Sequence, residues 1–197
     1  RYTLLYSHGN AEDLEDISVL LAPLHALGVS ALAYDYAGYG TSEGAPSERQ
    51  LDEDIDAAYR WLVEERGVAP GNIVLYGRSL GSGPSVDLAT RKPVGGLILE
   101  SAFTSVFRVA TRVSLLPWDR FTNLEKMPLV RCPVLVMHGT DDRLIPIHHG
   151  RALHDAAPPR KRSLWVEGSE HGDLPLVAGD RFAASVRAFL DGLDAPR

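Results

Sequence analysis

Apolar runs of strand length recur along the chain at Tyr2 to Tyr6, Val29 to Tyr34, Asn72 to Tyr76, Gly96 to Leu99, Val134 to Met137 and Ser163 to Val166, each bounded by turn-forming residues. They are near-continuous rather than alternating, the pattern of parallel strands covered on both faces. Between them the spacing turns helical. Leu14, Ile17, Leu21 and Leu24 share one face, as do Leu51, Ile55, Ala58 and Leu62, and so do Phe182, Val186, Phe189 and Leu190. Strand and helix alternate with no Pro/Gly/Ser-rich linker, so residues 1–197 are expected to form one α/β domain, a mostly parallel sheet of about six strands flanked by helices. A chain of 197 residues with 45% hydrophobic content can bury a full core for such a fold.

Composition narrows the partners. Lys+Arg number 20 against 26 Asp+Glu, the formal charge is −6, and no basic run occurs, so nucleic acid is not an expected partner. Cys132 stands alone, which excludes an intramolecular disulfide and a cysteine-rich zinc site; it reads as a small apolar residue entering a strand. No stretch approaches the roughly 20 apolar residues of a membrane span, and the first residues lack a secretory pattern. The expectation is a cytoplasmic protein with no transmembrane segment. One stretch departs from the alternation: residues 101–132 separate two strands and carry Phe103, Phe107, Leu115, Leu116, Trp118 and Phe121. Such an excursion is expected to be a short cap or lid-like insertion, or else a crossover helix packed on the sheet.

The strongest chemical signal is Gly77-Arg78-Ser79-Leu80-Gly81, directly after the run Ile73 to Tyr76 and directly before a helical stretch through Ala89. In that strand–turn–helix context G-x-S-x-G is a nucleophile elbow: a tight turn pushes the serine Oγ out above the sheet, and small residues two places away relieve the crowding. A serine hydroxyl needs a base, and the base needs a carboxylate to hold its tautomer and orientation. Of seven histidines, His171 lies in a Gly-bearing polar loop after the last strand, at the same C-terminal sheet edge as Ser79. His148, His149 and His154 lie on or beside a surface helix and read as solvated, as does His25; His8 reads as a loop-shaping residue. The acid falls in His138-Gly139-Thr140-Asp141-Asp142-Arg143, where either aspartate fits. The oxyanion of a tetrahedral intermediate needs amide donors, expected from Leu80 and, in Ser7-His8-Gly9-Asn10-Ala11, from Asn10.

Together, Tyr6-Ser7-His8-Gly9-Asn10-Ala11, Tyr34-Asp35-Tyr36-Ala37-Gly38-Tyr39-Gly40, Leu75-Tyr76-Gly77-Arg78-Ser79-Leu80-Gly81, Val136-Met137-His138-Gly139-Thr140-Asp141-Asp142 and Trp165-Val166-Glu167-Gly168 resemble the α/β-hydrolase-domain serine hydrolases, the group that includes eukaryotic protein depalmitoylases. The resemblance covers almost the whole chain. It implies the α/β-hydrolase fold, Ser79 as nucleophile, His171 as base, Asn10 at the second oxyanion position and, through the family's His-Gly-x-x-Asp pattern, Asp142 as the acid. It also implies strands ahead of the His-Gly loop and, in the depalmitoylases, a lipidated cysteine-rich segment; neither is present in a chain that begins at Arg1 on a strand. The first strands of the family are thus expected to be missing, which would leave the Val29 to Tyr34 strand as an unpaired edge.

The expected activity is cleavage of a carboxylic ester or thioester through an acyl-enzyme, with no cofactor and no metal. The substrate would be a small molecule or acyl ester whose acyl group is held by Phe103, Phe107, Leu116 and Trp118. A peptidase of the same superfamily and a non-catalytic binding module on the same fold are the alternatives, and loss of activity with the missing strands is a third.

Overall fold

The computed structural model describes residues 1–105 and 121–194, so Phe107, Leu115, Leu116 and Trp118 lie outside the described residues. Six strands form one parallel sheet: β1 (Thr3–Ser7), β2 (Ser30–Ala33), β3 (Ile73–Arg78), β4 (Gly96–Glu100), β5 (Val134–Gly139) and β6 (Lys161–Val166), in the spatial order β2-β1-β3-β4-β5-β6. Each coincides with an expected run to within about two residues at most boundaries, the usual scatter of strand ends. Parallel pairing demands crossovers, supplied by α1 (Leu14–His25), α2 (Glu48–Arg60), α3 (Ser82–Arg91), α4 (Asn123–Lys126) and α5 (His148–Ala156). Helices α6 (Leu174–Ala178) and α7 (Asp180–Gly192) follow β6.

The near-continuous apolar runs are explained by two buried faces. Successive side chains point to opposite sides of a strand. Leu4, Tyr6, Val74, Tyr76, Ile98, Leu135 and Met137 therefore pack with Ile17 and Leu24 of α1 and with Phe182, Val186, Phe189 and Leu190 of α7. Leu5, Leu75, Leu97, Leu99, Val134 and Val136 face the other way, onto Ile55, Tyr59, Leu62, Val86, Leu88 and Leu153. Removing a buried leucine such as Leu5 would cost roughly 2–5 kcal/mol, transfer and cavity terms together.

Three details depart from the expected helical faces. Tyr59 joins the face of Ile55 and Leu62, buried where Ala58 is half-buried against the same cluster, and its hydroxyl donates to the Pro93 carbonyl at 2.8 Å. Leu14 is 41% exposed; as the first residue of α1 its side chain projects over the turn before the helix. His149 is not solvated: it is buried, with Nδ1 3.2 Å from the Thr104 backbone N and 2.9 Å from Thr104 Oγ1. It faces inward because α5 covers the chain leaving β4, a contact between distant segments that helical spacing does not encode. His148 and His25 are exposed and His154 is half-buried. Cys132 is buried at the entrance to β5, and burial pushes its thiol up to about 12.

A third apolar cluster lies at the C-terminal ends of the strands. Tyr36, Leu51, Phe103, Phe121 and Ile145 form it, with Tyr34, Tyr39 and Leu80 against them. Phe121 seats on Gly83 of α3, where an added Cβ would stand 2.2 Å from its ring. The side chain of Phe103 is buried there and meets Phe121 edge-on, with centroids 6.2 Å apart.

Asp52 of α2 is the weak point of the helix layer. Its Oδ1 is buried without a hydrogen-bond partner, and burial followed by the nearby Asp87 carboxylate pushes it up to about 7. A carboxyl raised in the folded state binds protons that the unfolded chain has released, so its burden on stability grows as pH rises from about 4 to 7 and is absent below that window. We expect Asp52→Asn to raise the Tm by about 2–4 °C at pH 8, the shift that roughly 1 kcal/mol gives in a chain this size, and to leave it unchanged at pH 4. Thermal denaturation at the two pH values checks this; an equal shift at both would contradict it.

Candidate active site

Strand β3 ends in Arg78 and the chain reverses into α3 through Ser79, whose φ is +49°. A non-glycine residue there is strained, and it persists only where the surroundings enforce it. They do so by close packing. A Cβ at Gly81 would stand 2.0 Å from the Ser7 carbonyl oxygen, and one at Gly77 would stand 2.6 Å from that of Gly81. Both glycines of the motif are therefore required by backbone approaching backbone. The Ser82 hydroxyl donates to the Ser79 carbonyl at 2.6 Å, and Asn123 of α4 donates to Ser82 Oγ at 3.3 Å, tying the elbow from beneath.

His171 reaches the elbow from the loop after β6. Its Nε2 lies 3.0 Å from Ser79 Oγ and its Nδ1 lies 2.8 Å from Asp142 Oδ2. The loops after β5 and β6 are sewn together: Asp141 N–H donates to the Ser169 carbonyl, Thr140 N–H to that of Val166, and Gly168 N–H to Thr140 Oγ1. Gly139 allows the approach, since a Cβ there would meet the Ser169 carbonyl at 2.2 Å. Of the two aspartates the fold brings Asp142 to His171, whereas Asp141 is exposed and accepts from Thr140 Oγ1.

Asp142 is buried and fully engaged. Its Oδ1 accepts the backbone N–H groups of Leu144 at 3.0 Å and Ile145 at 2.7 Å. Burial by itself would raise its pKa, but hydrogen bonds from His138, His171 and Ile145 outweigh burial and hold the carboxyl well below the usual carboxylate range. His138 is fully buried, with Nε2 2.7 Å from the Ile145 carbonyl and 3.4 Å from Asp142 Oδ2. The sequence reading missed it; a histidine one residue before the end of a buried strand was the available signal.

The loop after β1 lies beside the elbow. Gly9 N–H donates to Glu12 Oε2 at 2.6 Å, and Asn10, exposed, accepts through Oδ1 from the Tyr39 hydroxyl at 2.6 Å. The loop is braced by the tyrosines of the segment after β2. Tyr36 donates to the His8 carbonyl at 2.8 Å, Tyr34 Oη and Ser7 Oγ are 2.9 Å apart, and the His8 ring lies 4.3 Å from that of Tyr36. His8 is thus a buried part of the loop's support, far from a solvated base, and burial lowers its pKa. Leu80, directly after Ser79, is half-buried against the third cluster. Among the described residues no group of three or more His, Cys, Asp or Glu is gathered so as to hold a metal ion, and no helix is long and apolar enough to cross a membrane.

This arrangement can accept a proton from Ser79 Oγ at His171 while a permanently charged carboxylate faces the opposite ring nitrogen. Such an imidazole N–H is strongly deshielded. We expect proton NMR to show one low-field imidazole N–H resonance that disappears in Asp142→Asn and persists in Asp141→Asn; persistence in Asp142→Asn would contradict the pairing.

Comparison with known proteins shows the family and the fold. A family model described as serine aminopeptidase, S33, matches residues 1–123. The chain is similar to the alpha/beta hydrolase domain-containing protein aho-3 of Caenorhabditis elegans, 44% identical over 193 residues, which make up 96% of this chain and 58% of that protein. It is likewise similar to the human alpha/beta hydrolase domain-containing protein 17C, 45% identical over 182 residues, covering 90% of this chain and 55% of the relative. The chain therefore spans less than two thirds of the length of these relatives. Among solved structures, an esterase from Pyrococcus furiosus superposes with a TM-score of 0.81 at 18% identity, over 97% of this chain and 82% of that one. A monoacylglycerol lipase from Paleococcus ferrophilus superposes with a TM-score of 0.76 at 20% identity, over 98% and 95% of the two chains. Likeness at such identities speaks to the fold.

Proposed function

The chain belongs to the α/β-hydrolase family whose model carries the description serine aminopeptidase, S33, and from that premise we propose that it is a serine hydrolase cleaving carboxylic esters or thioesters. The observation that carries the reading is the unbroken line Ser79 Oγ, His171 Nε2, His171 Nδ1, Asp142 Oδ2, with both contacts at hydrogen-bond distance. Ser79 attacks the acyl carbon and His171 takes its proton. Asp142 stays ionised and stabilises the imidazolium. The oxyanion accepts hydrogen bonds from the Leu80 and Asn10 amides at the mouth of the elbow. His171 then protonates the leaving group, and water activated by the same ring releases the acyl group.

An apolar acyl group suits the surroundings, because Leu80 abuts the cluster of Tyr36, Phe103, Phe121 and Ile145. A peptidase reading has the family description in its favour. A substrate ammonium, however, is held best by an unengaged carboxylate, and among the described residues Asp142 is engaged by His171, Glu12 by Arg78 and Gly9, and Asp173 by Ser169 and Glu170.

A fluorophosphonate probe tests the mechanism. Wild type should label stoichiometrically, while Ser79→Ala should not label at all and His171→Ala should label at least about 100-fold more slowly, the scale of lost general-base assistance. Labelling that survives in Ser79→Ala would end the proposal. Hydrolysis of a p-nitrophenyl ester should exceed that of a matched aminoacyl p-nitroanilide, and the reverse order would favour the peptidase.

A further inference from the structure

Arg78, the residue before Ser79, is buried between two carboxylates. Its Nε lies 3.2 Å from Glu100 Oε1 at the end of β4, and the other Glu100 oxygen accepts from the Tyr76 hydroxyl. The guanidinium also meets Glu12 Oε1 in close contact, and Glu12 Oε2 accepts the Gly9 N–H. Gly9 and Gly172, the neighbour of His171, both face this guanidinium: a Cβ at Gly9 would be 3.5 Å from Arg78 Nη1, and one at Gly172 would be 4.0 Å from Nη2. One cation therefore stands where the elbow, the loop after β1 and the histidine loop meet.

Stability does not account for it. A buried ion pair is a poor stabiliser compared with apolar residues of the same volume. What the pairing does supply is direction. Among the described residues Glu12 is the side chain that holds the Gly9 amide, through Oε2, while Arg78 Nη1 holds its other oxygen. With the Gly9 N–H turned onto Glu12, the next amide along the chain is that of Asn10.

We propose that Glu12, locked by Arg78, is a positioning residue that sets the backbone of the His8-Gly9-Asn10 turn so that the Asn10 amide points at the developing oxyanion. The inference rests on Ser79 being the nucleophile. Misplacing a donor by about 1 Å can cost roughly 100-fold in rate, and loss of a whole oxyanion donor costs about 100- to 1000-fold. Because Glu12 is partly exposed, water can replace some of its hold on Gly9, so the expected loss is smaller.

The test measures kcat and KM on p-nitrophenyl butyrate, with kcat normalised to the sites that a fluorophosphonate labels at completion, so that unfolded molecules do not count. Glu12→Ala should lower kcat per labelled site by about 10- to 100-fold, with KM within about twofold and the shape of the pH profile unchanged. Glu12→Gln keeps a carbonyl for Gly9 but loses the charge facing Arg78, and should fall between the two, about 3- to 10-fold below wild type. A kcat per labelled site within twofold of wild type in Glu12→Ala, or a loss confined to KM, overturns the proposal. If Glu12→Ala does not fold, Glu12→Gln decides, with an unchanged normalised kcat again overturning it. Failure of the underlying mechanism reads differently, as labelling of Ser79→Ala.

Discussion

The backbone reversal at Ser79 is the constraint on which the rest of the site depends. A φ of +49° at a residue with a Cβ is held only because the Ser7 and His8 carbonyls press against Gly81 on one side and α3 begins on the other. That packing joins β1 to β3 at their C-terminal ends, so the loop after β1 cannot move without disturbing the serine. The same edge receives the loops after β5 and β6, which are themselves locked by Gly139 against Ser169. Three loops from distant parts of the chain converge because parallel strands all end on one side.

Polar residues at this edge are buried in linked groups. Asp142 is satisfied by two backbone amides and two histidines, and Glu100 by Arg78 and Tyr76. Each removes freedom from a loop that would otherwise be exposed and mobile. The contrast with Asp52 is instructive. Its Oδ1 has no partner and its carboxyl is pushed up to about 7, whereas Asp142, the more buried of the two, is driven the other way. Burial is common to both, and the hydrogen bonds decide the sign.

The sheet was legible because strands covered on both faces leave continuous apolar runs, and the six runs read from Tyr2 onward coincide with β1 to β6. The placement of Ser79 and His171 at one sheet edge was legible because motif, loop and sheet edge are all local features. Asp141 and Asp142 could not be separated by local reasoning, since the choice depends on which carboxylate turns inward to meet a loop about thirty residues away; the family pattern chose the one that the fold brings to His171. His149 was misread because its partner, Thr104, lies in another segment. His138, Glu12 and the three tyrosines that brace the first loop were missed for the same reason. Their roles exist only once the strand ends are brought to one edge of the sheet, and apart from the place of His138 near the end of a buried strand nothing in their own neighbourhoods announces it.

The central claim is that Ser79 becomes acylated during turnover. Rapid acid quench in the pre-steady state with a slowly deacylating p-nitrophenyl ester, followed by tryptic digestion and fragmentation, tests it directly. The account predicts an acyl group on the peptide running from Ser79 to Arg91, assigned by fragment ions to Ser79 and not to Ser82 or Ser85, in step with a burst of p-nitrophenol. Turnover with no burst and no adduct on that peptide, or an adduct on any other residue, would contradict it.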